Sequence, residues 1–153
     1  MTDATADAMT DAAGDAEASA LPAGDRAMMQ RDLASAALGM VVERDEPGIA
    51  VVSMRVRDDM TNGFRITHGG LVFTLADTAF ACAANSQAPG SVTAAASIVY
   101  LSAAHVGEEL IAEAEVRHAG ERQSLVDVTV RCGDRVVAEY RGRSARLRSA
   151  PPA

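Results

Sequence analysis

Sixteen residues, Gly70 to Asn85, read GLVFTLADTAFACAAN, with no breaker after the first position and apolar side chains on nearly every face. A helix with no polar face cannot lie on a surface, so the rest of the chain must wrap it. The stretch is too short for the roughly 20 residues of a membrane span. It also carries one carboxylate, Asp77, between Leu75-Ala76 and Ala79-Phe80. Moving a lone carboxylate into an apolar site costs several kcal/mol unless it is hydrogen-bonded or neutralised.

The wrapping material is β-structure. MVVERDEPGIAVVSMRV holds two β-branched runs split by Pro47-Gly48, a hairpin signal. DDMTNGFRIT is a polar loop before the helix. After Pro89-Gly90 come SVTAAASIVYLS, ELIAEAEVRH, SLVDVTVRC and RVVAEYRGRSARL, punctuated by Gly107, Gly120 and Gly133-Asp134. Leu110, Ala112, Ala114 and Val116 alternate with Glu113, Glu115 and Arg117; Val126, Val128 and Val130 alternate with Asp127, Thr129 and Arg131. One face of this sheet therefore meets solvent, as antiparallel sheets allow. Ahead of the strands, DRAMMQRDLASAALG predicts one short helix, capped by Asp25, with Met29, Leu33, Ala36 and Ala37 on one face and Gly39 at its end. One wrapped helix and a one-sided antiparallel sheet have one economical arrangement, the sheet curled around the helix. The expected class is α+β, a hotdog fold.

The chain has 153 residues, enough for one domain, and its hydrophobic fraction of 48% with only 3% aromatic makes an Ala, Val and Leu core. The net charge of -7 is unevenly placed. Asp3, Asp7, Asp11, Asp15, Glu17 and Asp25 precede any base, leaving fifteen acids against fourteen bases, all arginine, in the other 128 residues. Residues 1–24 are expected to be a disordered acidic tail, 25–148 the domain, and 149–153 a disordered end. A body without net positive charge or interleaved aromatics does not fit nucleic acid. Cys82 and Cys132 have neither disulfide nor zinc spacing, His105 and His118 stand without ligand partners, and no secretory leader precedes them. No metal or cofactor is implied, and a reducing cytoplasm is the expected compartment. No G-x-S-x-G elbow is present.

Asp77 has two readings. It is a structural carboxylate bonded to backbone, Thr74 or Thr78, or it is a base or nucleophile at an interior cavity. Gly69 and Gly70, behind His68, supply unpaired N–H groups at the helix start, where the dipole favours a polarised carbonyl oxygen. Asp77 lies eight residues beyond Gly69, roughly 12 Å along a helix. One carbonyl can reach both only if two chains pack with these helices antiparallel, giving a two-fold dimer with two shared sites.

NGFRITHGGLVFTLADTAFACAANSQ, with VRHAGERQ and YRGRSARL, resembles the phenylacetic-acid-degradation (PaaI-type) thioesterases of the hotdog superfamily over roughly residues 28–148. The resemblance implies hydrolysis of acyl-coenzyme A, with aryl-acetyl groups such as phenylacetyl and hydroxyphenylacetyl as substrates. It implies Asp77 as the catalytic carboxylate, Gly69 as the oxyanion donor, Asn62 as a water- or acyl-positioning group and His68 as the orienter of the loop. Family members are usually homotetramers, dimers of dimers. Thr93 falls near the family's polar position early in the third strand, and Gly70 and Thr78 border the acyl site. Arg117, Arg122 and Arg143, with Arg141, are candidates for the coenzyme A phosphates, which arginine reads well. Ser102-Ala103 stands where many members have Arg-Pro. Two other readings are a non-catalytic acyl-CoA sensor, which would need an output module, and a hotdog hydratase or dehydratase, which would need a paired Asp and His.

Overall fold

The computed structural model describes residues 28–147; the acidic tail, Asp25 and the C-terminal end lie outside the described residues. The elements run α1 (Leu33–Ala37), β1 (Val41–Glu46), β2 (Ile49–Arg55), a 3₁₀ turn (Asp58–Met60), α2 (Gly69–Gln87), β3 (Ser91–Tyr100), β4 (Glu109–Ala119), β5 (Ser124–Cys132) and β6 (Arg135–Arg146). The six strands form one sheet in the order β1-β2-β4-β5-β6-β3. Every neighbouring pair is antiparallel. The sheet curls around α2, which touches every strand. This is the hotdog arrangement expected from the sequence.

The predicted first helix is broken. Residues 28–31 are helical, and the helix restarts after Asp32. The Asp32 carboxylate accepts from the Ser35 N–H at 2.9 Å and the Ser35 hydroxyl at 2.6 Å. A side chain that caps a new start competes with continuation of the old helix. The end was legible: Gly39, at φ +68°, donates to Ala36 O, and Met40 donates to Ser35 O, the double bond of a left-handed helix stop.

The alternation read from sequence places the core. Leu110, Ala112, Val126, Val128 and Val130 are completely buried, and they face Leu75, Ala76, Ala79, Cys82, Ala83 and Ala84 of α2. Small helix residues let the sheet approach closely, and Phe80, Met54 and Met60 fill the larger spaces. Met60 is the anchor of the polar loop: it is buried, and its carbonyl accepts from His68 N at 2.8 Å, fixing where α2 begins.

Phe80 needs a gap in the sheet, and Gly142 of β6 supplies it. A Cβ at Gly142 would lie 2.6 Å from the Phe80 ring and 2.9 Å from that of Tyr140. Both rings are buried, so neither can swing aside. Gly142→Ala is expected to destabilise the fold by about 1–3 kcal/mol through overpacking, read as a lower urea midpoint. An unchanged midpoint would mean that the rings have room to spare.

Candidate active site

The start of α2 is built by its own residues. His68 is the N-cap, and its Nδ1 accepts from the Gly70 N–H at 3.0 Å. That bond corrects one expectation, because Gly70 is no longer an open donor. The Gly69 N–H, by contrast, donates to no atom among the described residues. It points from the positive end of a 19-residue helix, where an anionic oxygen is best held. Tyr100 of β3 covers this glycine: its hydroxyl donates to Gly69 O at 2.8 Å, and a Cβ at Gly69 would meet its ring at 3.2 Å.

Asn62 organises the preceding loop. Its Oδ1 accepts from Phe64 N at 2.9 Å and Ile66 N at 3.4 Å, and its carbonyl accepts from Arg65 N. The turn holds Arg65 at φ +60°, the left-handed region that side chains disfavour. With Gly69, Val72, Tyr100, Leu101, Ala104 and others, Asn62 lines a largely apolar cavity of about 390 Å³. Ser102 borders it too, but the Ser102 hydroxyl is turned to Val136 O at 2.6 Å.

Asp77 stands two turns further along α2. It is half-buried rather than enclosed, so its desolvation is smaller than its apolar neighbours imply. Neither helix threonine is its partner: Thr74 donates to Gly70 O, and Thr78 is buried against the Ser35 hydroxyl at 3.0 Å, away from the carboxylate. The partners come from the sheet. Asp77 Oδ1 accepts from Tyr140 at 2.6 Å and from Thr93 at 3.0 Å. Oδ2 accepts nothing from the described residues.

Thr93 reaches Asp77 because of a bulge. Ile98 and Ala96 of β3 pair with Tyr140 and Gly142 of β6, on the helix side, so strict alternation would turn Thr93 outward. The ladder slips between Thr93 and Ala95, which re-aims Thr93 inward opposite the buried Ser144. The sequence does not announce such a bulge. Tyr140 was missed for a related reason: it reads as one inward residue among several on β6, 63 residues from Asp77.

The arginines divide. Arg117 is 2.6 Å from Glu115, and Arg141 is 2.5 Å from Asp127, on the outer face of the sheet. These carboxylates already occupy them, and Arg141 holds the Asp127 carboxyl below its ordinary range. Arg122 and Arg143 make no ion pair among the described residues. No helix among those residues is long and apolar enough to cross a membrane.

A hotdog sheet around a helix that carries an open N–H at its start and a carboxylate in its middle defines a class, the thioester hydrolases built on this fold. A sequence model of the Thioesterase superfamily matches residues 64–139. The chain is 41% identical over 122 residues to the acyl-coenzyme A thioesterase PaaI of Escherichia coli, covering 79% of this chain and 87% of that protein. The E. coli PaaI structure superposes with a TM-score of 0.80 at 38% identity, covering 83% of this chain and 93% of that one. A Streptococcus mutans protein solved bound to acetyl CoA gives a TM-score of 0.67 at 29% identity, covering 71% and 88%. The chain belongs to the thioesterase superfamily, among its PaaI-type members.

Burial, and then the bond to Asp77, push the Tyr140 phenol well above its ordinary value, and burial raises Tyr100 as well. A group held neutral in the fold contributes stability that is complete below about pH 10, the ordinary phenol value. Above it the unfolded chain loses its proton first, so stability falls as pH rises. Urea midpoints measured between about pH 8 and 11 are expected to decline in the wild type and less steeply in Tyr140→Phe. Equal declines would show that Tyr140 is not held neutral by the fold.

Proposed function

We propose that this thioester hydrolase cleaves aryl-acetyl coenzyme A thioesters, phenylacetyl and hydroxyphenylacetyl among them, to the free acid and coenzyme A. The thioester carbonyl oxygen sits on the Gly69 N–H, and Asp77 of a second chain delivers the attack. That carboxylate either activates water, which displaces the coenzyme A thiolate, or attacks the carbonyl itself, expelling the thiolate to form a mixed anhydride that water then opens to the free acid. Both routes use Oδ2, since Oδ1 is taken up by Tyr140 and Thr93.

The carrying observation is the placement of two reactive groups on one helix, too far apart for one carbonyl. Eight residues separate Gly69 from Asp77, roughly 12 Å. The free edge of the sheet offers the remedy. β3 has no charged residue over its ten positions and is exposed along most of its length, with Val99 60% and Tyr100 49% accessible. Long, uncharged edges pair with other chains. Two copies joined along β3 about a two-fold axis would run their α2 helices antiparallel and complete two sites. A cytoplasmic homotetramer of two such dimers is the assembly we infer.

The cavity beside Gly69 supports a compact acyl group. At about 390 Å³ it lies near the low end of small-molecule sites, and its walls are mainly apolar, with Asn62 and Tyr100 as polar points. Of the candidate arginines, Arg122 and Arg143 make no ion pair among the described residues and are available to coenzyme A phosphates; Arg117, held by Glu115 and Asp127, is less so. The PaaI of E. coli is named an acyl-coenzyme A thioesterase, which favours this substrate class.

Asp77→Asn keeps the shape of the side chain and removes its basicity. Phenylacetyl-CoA turnover, followed as released thiol, is expected to fall by about 10² to 10⁴ with the fold intact. Near-normal turnover in a less stable protein would make Asp77 structural.

The shared site has its own test. Asp77→Asn and Gly69→Val are each expected to be inactive, the valine because it crowds the carbonyl position and the Tyr100 ring. Equal mixing with subunit exchange gives about half heterodimers, each with one site made of an intact glycine and an intact aspartate. About a quarter of wild-type activity should return. Exchange verified by mass spectrometry without recovery would rule out the shared site and leave Asp77 to act within its own chain, on a carbonyl held by another donor.

A further inference from the structure

Asp77 has two oxygens, and only one of them is left open. The residue that makes this selection is held unusually firmly. Tyr140 approaches from β6 with its hydroxyl 2.6 Å from Oδ1, while its ring meets Phe73 edge-on at 5.4 Å and Phe80 at 5.9 Å. Phe73 lies four residues before Asp77 and Phe80 three after it, so both share the carboxylate's face of α2. The two phenylalanines therefore grip the ring from either side of the group that its hydroxyl touches. Val128 and Ile98 flank Tyr140 across the sheet, and Tyr140 itself is 2% exposed. Gly142, two residues on and on the same side of β6, leaves the space that Phe80 occupies. Thr93 donates to the same Oδ1 but stands on the exposed edge strand, without such a clamp.

We infer that Tyr140 is a positioning residue for the thioesterase reaction: its phenol anchors Asp77 Oδ1 and so fixes Oδ2 as the oxygen presented to substrate. The inference rests on the reading of Asp77 as the reactive carboxylate. A carboxylate on an otherwise apolar stretch of helix can rotate about its last side-chain bond, and each rotation exchanges the two oxygens. A neutral donor in a rigid ring stops that rotation without adding a charge. It also cannot compete as an acid, because burial and the carboxylate keep the phenol protonated. Tyr140 does not reach the cavity beside Gly69 in its own chain, so its influence on substrate passes through Asp77.

Tyr140→Phe removes one oxygen and keeps the ring packing. With phenylacetyl-CoA as substrate, kcat is expected to fall about tenfold to a hundredfold, the scale of a misaligned reacting group, while KM moves by less than about twofold. The same substitution made in Asp77→Asn is expected to change the residual rate little, since no charged oxygen remains to be aimed. A structural loss would lower both backgrounds equally and shift KM or the urea midpoint along with kcat. Unchanged kcat in Tyr140→Phe, or the same fold-loss in both backgrounds, overturns the positioning role even if Asp77→Asn alone is inactive. Full activity of Asp77→Asn would instead remove the reading of Asp77 on which the role depends, and the positioning role with it.

Discussion

The burial of α2 by a single curled sheet is the constraint from which the other features follow. Ala76, Ala79, Ala83 and Ala84 are completely covered, and strands from both halves of the sheet close on the helix. Apolar surface removed from water contributes roughly 25 cal/mol per Å², so packing the sheet against α2 is a major source of stability. Such a helix has almost no freedom to shift or turn. Anything polar on it is then fixed in direction as firmly as the core is packed, which makes it a good mount for reacting groups. Cover is incomplete toward β3, the edge strand, where Asp77 is half-buried and bonds Thr93.

Position on that helix explains why local pattern singles out Asp77 and Gly69, while Tyr140 went unread and Thr93 entered only through the family resemblance. A carboxylate inside an apolar run and a glycine pair at a helix start are anomalies of local pattern, visible without knowing what lies across from them. Tyr140 and Thr93 are not anomalies. They are a tyrosine and a threonine in strands, where both residue types are ordinary. Their meaning depends on register, and the register of β3 against β6 is altered by a bulge that alternating hydrophobicity does not reveal. Asp32 is a similar case in miniature. The helical spacing of the neighbouring apolar residues carries through it, and only its bonds to Ser35 show that it begins a second helix.

The broad architecture, by contrast, was legible because two different periods say the same thing. Alternation in β4 and β5 makes a sheet with one wet face, and the apolar residues around most of α2 make a helix that needs cover. Neither is stable alone, and each supplies what the other lacks. Charges on the outer face sort accordingly. Glu115, Arg117, Asp127 and Arg141 form a mutually neutralising group on the outer face, with three of the four exposed and Asp127 half-buried, where solvent screens each pair and little stability depends on them. That makes the paired arginines poor candidates for a ligand's phosphates, a distinction invisible to a count of arginines.

The two tyrosines of the chain each bind one polar group of α2. One hydroxyl bonds the Gly69 carbonyl, the other the Asp77 carboxylate. Both come from the strands at the open side of the barrel-like curl, β3 and its neighbour β6. Each ties an α2 group to the sheet, so the Gly69 N–H and Asp77 Oδ2 stay fixed in direction while the edge beside them remains open. A carboxylate needs its unoccupied oxygen to face outward, and a glycine N–H needs the space in front of it empty. Both conditions conflict with complete burial. Anchoring each group by its other atom, Oδ1 in one case and the carbonyl in the other, meets them without loosening the core.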